Sequence, residues 1–281
     1  MTPVDLAVLC REPLGEDHTH PAGGRVLQLH VGGSTIFGML YLPRGAGPHP
    51  VVMMLHGLPG AVRNEDWAQA MRRAGMAVLI FSYRGSWSNG GRWSYRNCLE
   101  DAITICKRLQ EPEFAAANRL DPARVLVLGH SFGGLLAALT AVEAGVRDVM
   151  LLSPADAAKQ WRIAASTPEG RARRMRQLEK ICESFGDTCA ERMWQETAEN
   201  LDTFDLLATV RRMTNQRVLV IGAEYDTLLP VEHFITPLVE ELEKQLPGGV
   251  RSAMLPTGHN YNSHRMELAH LLLAWLADMG Y

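Results

Sequence analysis

Two hydrophobic periods alternate along this chain. Arg25-Val-Leu-Gln-Leu-His-Val31 steps apolar and polar in turn, Gly32-Gly33-Ser34 interrupts it, and Thr35 to Leu42 resumes an apolar-rich run. Period-two patterning on both sides of a glycine turn predicts an antiparallel hairpin. Beyond it, short apolar runs near 51–55, 77–81, 124–128, 147–152, 217–221 and 250–255 alternate with helical stretches. Cys98, Ala102, Ile105, Cys106 and Leu109 form one helix face, and Leu268, Leu271, Leu272, Trp275 and Leu276 form another. Strand-then-helix repetition demands a mostly parallel sheet with right-handed crossovers and helices on both faces. With the hairpin, eight strands are expected.

The same pattern divides the chain. Residues 1–24 read as an N-terminal arm, 25–154 and 206–281 as an α/β core, and 155–205 as a helical insertion without strand periodicity. That insertion falls over the carboxyl ends of the strands, so it is expected to cap whatever lies there. Its charges are sorted: seven basic and three acidic residues from Ala155 to Lys180, then one and seven from Ile181 to Asp205. Two antiparallel helices stitched by ion pairs would satisfy that sorting. Alternatively, Arg171, Arg173, Arg174 or Arg176 faces the cleft and binds a substrate carboxylate.

Candidate chemistry lies just past the strand ends. Gly129-His-Ser131-Phe-Gly133 follows the apolar run Arg124–Leu128 and precedes a helix-compatible run, Phe132 to Glu143. A serine between two glycines at a strand-to-helix turn has the form of a nucleophile elbow, which holds the hydroxyl above a helix N-terminus. Asp226 follows the run 217–221, and Pro256-Thr-Gly258-His259 follows the run 250–255. The order Ser…Asp…His, each residue after its own strand, suits nucleophilic catalysis. A neutral hydroxyl needs a base, imidazole can serve near neutral pH, and a carboxylate fixes the imidazole tautomer. Oxyanion donors would be the amide of Phe132 and, by position after the run 51–55, that of Leu58. Alternatives stay open: Glu224, Asp202 or Asp205 for the acid, and His264 for the base. His56, Trp87, Trp161 and Arg174 are candidate pocket residues, with Trp93 also on a loop near the strand tops. His130, which cannot easily turn back onto Ser131, reads as packing or hydrogen-bonding locally and not as the base.

On these motifs, with His56-Gly57 after a strand, the chain resembles the α/β-hydrolase superfamily from about Arg25 to Met279. It looks most like the dienelactone-hydrolase-like and acyl-peptidase-like esterase branches. In the loop Phe81 to Gly91, Ser82 and Ser86 stand where those relatives usually carry Asp and Gly. Ser131 stands where dienelactone hydrolases proper use cysteine. The resemblance implies the α/β-hydrolase fold with a cap, a serine carboxylic ester hydrolase acting through an acyl-enzyme, and no cofactor. The alternatives are an exopeptidase or amidase on a short acylated substrate, or a non-catalytic scaffold.

Composition narrows the partners. With 281 residues, 47% of them hydrophobic, a large single core can form. A net charge of −3 lacks the basic footprint of a nucleic-acid binder. No run approaches a membrane span, and the N-terminus lacks the basic region of a signal peptide, so a cytoplasmic protein is expected. Cys182 and Cys189 could approach each other, but reduced thiols suit that compartment. No metal-ligand spacing appears, and Asp17-His18-Thr19-His20 reads as a mobile polar arm. The expected partner is a small ester or acyl substrate, with a homodimer left open.

Overall fold

The computed structural model describes residues 6–281 except 14, 16 and 88; the first five residues of the expected arm lie outside the described residues. Strands β1 (Gly23–Val31) and β2 (Ser34–Leu42) pair antiparallel, joined by Gly32 and Gly33. Both glycines have positive φ, 54° and 74°, as a two-residue hairpin turn between right-twisted strands requires. Strands β3 (His49–Leu55), β4 (Ala77–Phe81), β5 (Leu120–His130), β6 (Asp148–Leu152), β7 (Arg217–Ala223) and β8 (Val250–Leu255) run parallel to one another. The eight-stranded sheet has the order β1-β2-β4-β3-β5-β6-β7-β8, with β2 antiparallel to β4.

Strand β5 begins four residues before the apolar run that announces it. Leu120 pairs with His49, after which the register shifts, and pairing resumes at Val125 with Val51. Pro122 falls within this irregular stretch, where its missing N–H costs no ladder bond.

Alternation along the strands sends side chains to two cores. Val51, Met53 and Leu55 join Leu79, Phe81, Val127 and Val149 on one face. They pack under α2 (Tyr95–Leu109), α4 (Phe132–Glu143) and α9 (Val231–Gln245). Val52, Met54, Val78, Ile80 and Leu128 occupy the other face, under α1 (Glu65–Arg73) and α10 (Arg265–Asp278). The remaining core helix, α3 (Pro112–Ala117), packs beside β5. The chain near Leu6–Leu9 is itself anchored, since Arg73 donates to the carbonyls of Val8 and Leu9 and Arg72 pairs with Glu12. Asp17 is likewise tied, accepting the amides of Thr19 and His20.

Between β6 and β7 lie α5 (Ala157–Ala165), α6 (Pro168–Cys182), α7 (Ala190–Glu199) and α8 (Leu206–Val210). Asp156 caps α5 by accepting from Lys159 N, and Thr167 caps α6 by accepting from Gly170 N, with Pro168 in the first turn. Asp156 also accepts from Leu206 N, and Ala158 N donates to Phe204 O, so both ends of the segment meet.

The expected ion-pair zipper between α6 and α7 does not form. Arg171 and Glu191, 3.4 Å apart, are the ion pair joining them among the described residues. The acids of α7 are engaged elsewhere. Glu196 accepts the amides of Tyr95 and Arg96 at the start of α2, where orphan N–H groups need acceptors. Sorting charge by segment gives no helix orientation, and here the basic stripe turns another way. Cys182 and Cys189 are free thiols, as are the other described cysteines.

Candidate active site

Ser131 sits alone between the end of β5 and the start of α4, with φ 57° and ψ −121°. A side chain at that φ is strained by about 1–3 kcal/mol, so the surroundings must impose it. They do: a Cβ on Gly129 would lie 2.0 Å from Gly133 O, and one on Gly133 would lie 2.0 Å from Leu55 O. Only glycine lets β3, β5 and α4 converge this closely. Ser131 N donates to Leu152 O at 3.0 Å and Ser131 O accepts from Ala155 N at 2.8 Å, clamping the turn. The hydroxyl makes no capping bond to α4 and opens into a cleft.

The loop after β3 lies against this turn, and a Cβ on Gly57 would come within 2.9 Å of Ser131 Cβ. His56 is buried, and that burial pushes its pKa down to about 4, leaving the ring neutral. Its Nδ1–H donates to Gly57 O at 2.7 Å, and Tyr83 Oη donates to His56 O at 3.0 Å. His56 thus shapes the loop from behind. Leu58 follows at the cleft wall. Among the described residues, neither the Leu58 amide nor the Phe132 amide finds an acceptor in the chain.

Past β7, Asp226 turns back toward the loop after β8. Its Oδ2 accepts from His259 Nδ1 at 2.6 Å, and its Oδ1 accepts the amides of Leu228 and Leu229, both at 2.9 Å. Burial pushes the carboxyl up, but the His259 ring and these two amides outweigh it and hold the pKa below the ordinary value. The acid that reaches His259 is therefore Asp226. Glu224 and Asp202 are exposed, while Asp205 caps α8 and pairs with Arg162. His264 sits at the N-cap of α10, bonded to Ser263.

The side chain of His259 is 13% exposed, and it opens on the same cleft as Ser131. No hydrogen bond joins the ring to Ser131 Oγ here, and such contacts are often long in ligand-free sites. Two further residues brace His259. His130 bonds its main-chain oxygen, and Tyr261 is fully buried beneath the same loop. Tyr261 Oη donates to Ile221 O at 2.7 Å and meets Ser153 Oγ at 2.8 Å.

The cleft holds about 660 Å³, in the ordinary range of small-molecule sites. Its floor is Ser131, Phe132 and Tyr95, and apolar walls come from Leu58, Ile163, Leu229 and Phe234. Of the pocket candidates, Arg174 lines it. Trp161, two positions before the lining Ile163, turns instead onto Trp194 with ring centroids 5.1 Å apart. Trp87 is 49% exposed and His56 lies behind its loop, so neither lines the cleft. Trp93 is buried, stacked on Phe185 at 4.6 Å. Of the four arginines expected to face the cleft, Arg173 and Arg174 line it, whereas Arg171 pairs with Glu191 and Arg176 lies outside the lining. Gln160, Gln177 and Lys180 line it without having been singled out, and only Lys180 had a sequence signal, as the last member of the basic segment.

Among the described residues no helix is long and apolar enough to cross a membrane. Nor does any cluster of three or more His, Cys, Asp or Glu side chains there suit a metal ion.

The family described as "Alpha/beta hydrolase family" matches residues 52–271. An uncharacterized protein of Mycobacterium tuberculosis (strain ATCC 25618 / H37Rv) is 31% identical over 135 residues, 48% of this chain and 46% of that protein. Esterase EstD of Thermotoga maritima is 28% identical over 129 residues, 42% of this chain and 30% of its own length. The matches thus span less than half the length of these curated relatives. Among solved structures, an esterase of Pyrococcus furiosus superposes with a TM-score of 0.69 at 16% identity, covering 95% of this chain and 97% of that one.

Proposed function

The chain belongs to the alpha/beta hydrolase family, and on that footing we propose that it is a serine hydrolase. Its substrate is a carboxylic ester of small or medium size, cleaved through an acyl-enzyme. Ser131 Oγ attacks the carbonyl carbon while His259 Nε2 takes the hydroxyl proton. The carbonyl π pair moves onto oxygen, where the Leu58 and Phe132 amides stabilise it in a site partly closed to water. Collapse re-forms the carbonyl and expels the alkoxide, which takes the proton from His259. Water, deprotonated by His259, then attacks the acyl-enzyme, and the acid leaves as Ser131 recovers its proton. Asp226 keeps the Nδ1–H tautomer and stabilises the transient imidazolium. The helical segment 155–205 acts as the cap over this mouth.

One observation carries the reading: His259, bound to Asp226 at 2.6 Å, opens on the cleft that contains Ser131. The amides of Leu58 and Phe132, which find no acceptor among the described residues, and the strained elbow support it. The names of EstD and of the Pyrococcus furiosus protein, both esterases, favour an ester over an amide. A fluorophosphonate probe tests the proposal. Stoichiometric labelling that disappears in Ser131→Ala is expected, together with turnover of simple 4-nitrophenyl esters. Folded protein that neither labels nor hydrolyses any ester overturns it.

A further inference from the structure

Helix α6 presents one face to the cleft. Gly170, Arg173, Arg174, Gln177, Lys180 and Ile181 all line it, and their spacing of three and four residues is that of a single helical stripe. Leu178, one turn beyond Arg174 and at the edge of this stripe, is buried in the hydrophobic core and fixes the rotation of the helix. The stripe that looks down on Ser131 therefore carries three cations and no acid.

Among the described residues no carboxylate compensates them. No aspartate or glutamate of those residues lines the cleft, and Asp226 stands behind His259 with both oxygens occupied. Arg174 meets a neutral amide, Gln177, at 3.4 Å, and Arg173 and Lys180 make no ion pair among the described residues. The adjacent helix α7 holds glutamates that could have served, yet Glu196 is committed to the start of α2 and Glu191 to Arg171. Arg174 is also half-buried and close enough to Tyr95 to oppose the upward push that burial gives its phenol. Stability gives no reason to hold three like charges together beside an apolar wall, where the half-buried Arg174 pays desolvation without an anionic partner.

Resting on the hydrolase reading, we propose that the preferred ester is anionic. It carries a carboxylate or similar negative group some bonds away from the scissile carbonyl, held by Arg174 with Arg173 and Lys180. Arg174 supplies the planar fork that suits an oxyanion, and the two more exposed cations add a field that draws the substrate in.

The test compares matched esters. Mono-4-nitrophenyl adipate against 4-nitrophenyl hexanoate places the charge on the acyl side. Hexanoate esters of 4-hydroxybenzoate and of phenol, corrected for their intrinsic reactivity, place it on the leaving side. One of the two anionic esters is expected to win by about tenfold or more in kcat/KM, mostly through KM, with the advantage shrinking as salt rises. Arg174→Gln should bring that ratio near one, and Arg174→Glu should invert it. Arg176→Gln, on the same helix but outside the lining, should leave the ratio alone. Losses that are equal for charged and neutral esters indicate mere damage to the helix and overturn the proposal, as does a wild-type ratio near one in both pairs. Titration of adipate into Ser131→Ala protein separates the two readings. Binding lost in the additional variant Arg174→Glu, with no ester turned over by wild type, would leave the anion site standing and remove the hydrolase reading. Turnover without adipate binding and without a charge preference would do the opposite.

Discussion

His130 donates its Nε2–H to the main-chain oxygen of His259 across 2.8 Å, and the two rings lie 4.9 Å apart. Burial pushes the pKa of His130 down to about 3, aided by the neighbouring His259, so the ring is neutral. A carbonyl can only accept, which fixes the Nε2–H tautomer. The residue preceding the proposed nucleophile thus holds the loop that carries the proposed base. His130→Ala should lower kcat about tenfold, the scale of one buried hydrogen bond, with a smaller change in KM. His130→Gln, whose amide can still donate, should recover part of the loss. Steady-state kinetics on both variants checks this; equal kcat for all three proteins removes the positioning role.

Ser131 offers a stability test independent of catalysis. Alanine at φ 57° keeps the strain of serine, whereas glycine tolerates that conformation. Both Ser131→Ala and Ser131→Gly should abolish turnover. The glycine variant should be the more stable of the two by about 1 kcal/mol in urea unfolding.

Asp226→Asn should lower kcat by about 10³- to 10⁴-fold, because the amide favours the wrong imidazole tautomer. It should also change the acid limb of stability. The folded carboxyl titrates below its unfolded value of ~4, so its contribution is present above that pH and is lost as pH falls through the lower, folded value. The stability gap between wild type and Asp226→Asn should therefore narrow below pH ~4. A gap of constant size down to acid unfolding contradicts the assignment.

Asp156 titrates with the opposite sign. Burial pushes its carboxyl up to about 6, with Asp205 adding to the push and Lys159 and two amides opposing it. A raised folded pKa gives a contribution that is complete below the unfolded value of ~4 and is lost as pH rises through the folded one. Asp101, raised to about 6 by burial against the pull of Arg84, acts in the same direction. The contribution of these two groups should fall between pH ~4 and ~7, each losing at most about 3 kcal/mol. Asp156→Asn should flatten part of that fall in urea titrations at the two pH values. An unchanged slope would count against the raised pKa.

Much of this was readable from spacing. Period two placed both cores, since Val51/Met53/Leu55 and Val52/Met54 must face opposite helices once the strand exists. The glycines of the elbow marked a backbone crossing that no side chain fits. What the chain did not reveal depends on helix rotation and on main-chain partners. Trp161 and Ile163 differ by two positions, yet one is spent on Trp194 and the other reaches the cleft. The partner of His130 is a carbonyl 129 residues away, which no motif records. Sorted charge in the segment 155–205 suggested mutual pairing, whereas Glu196 serves an orphan helix start that composition cannot announce.

Asp156 grips the amides of Lys159 and Leu206 at once, so the polypeptide leaves the sheet and returns to it through a single doorway. A module hung on such a doorway can be lengthened, recharged or exchanged wholesale while strand connectivity beneath it stays as it was.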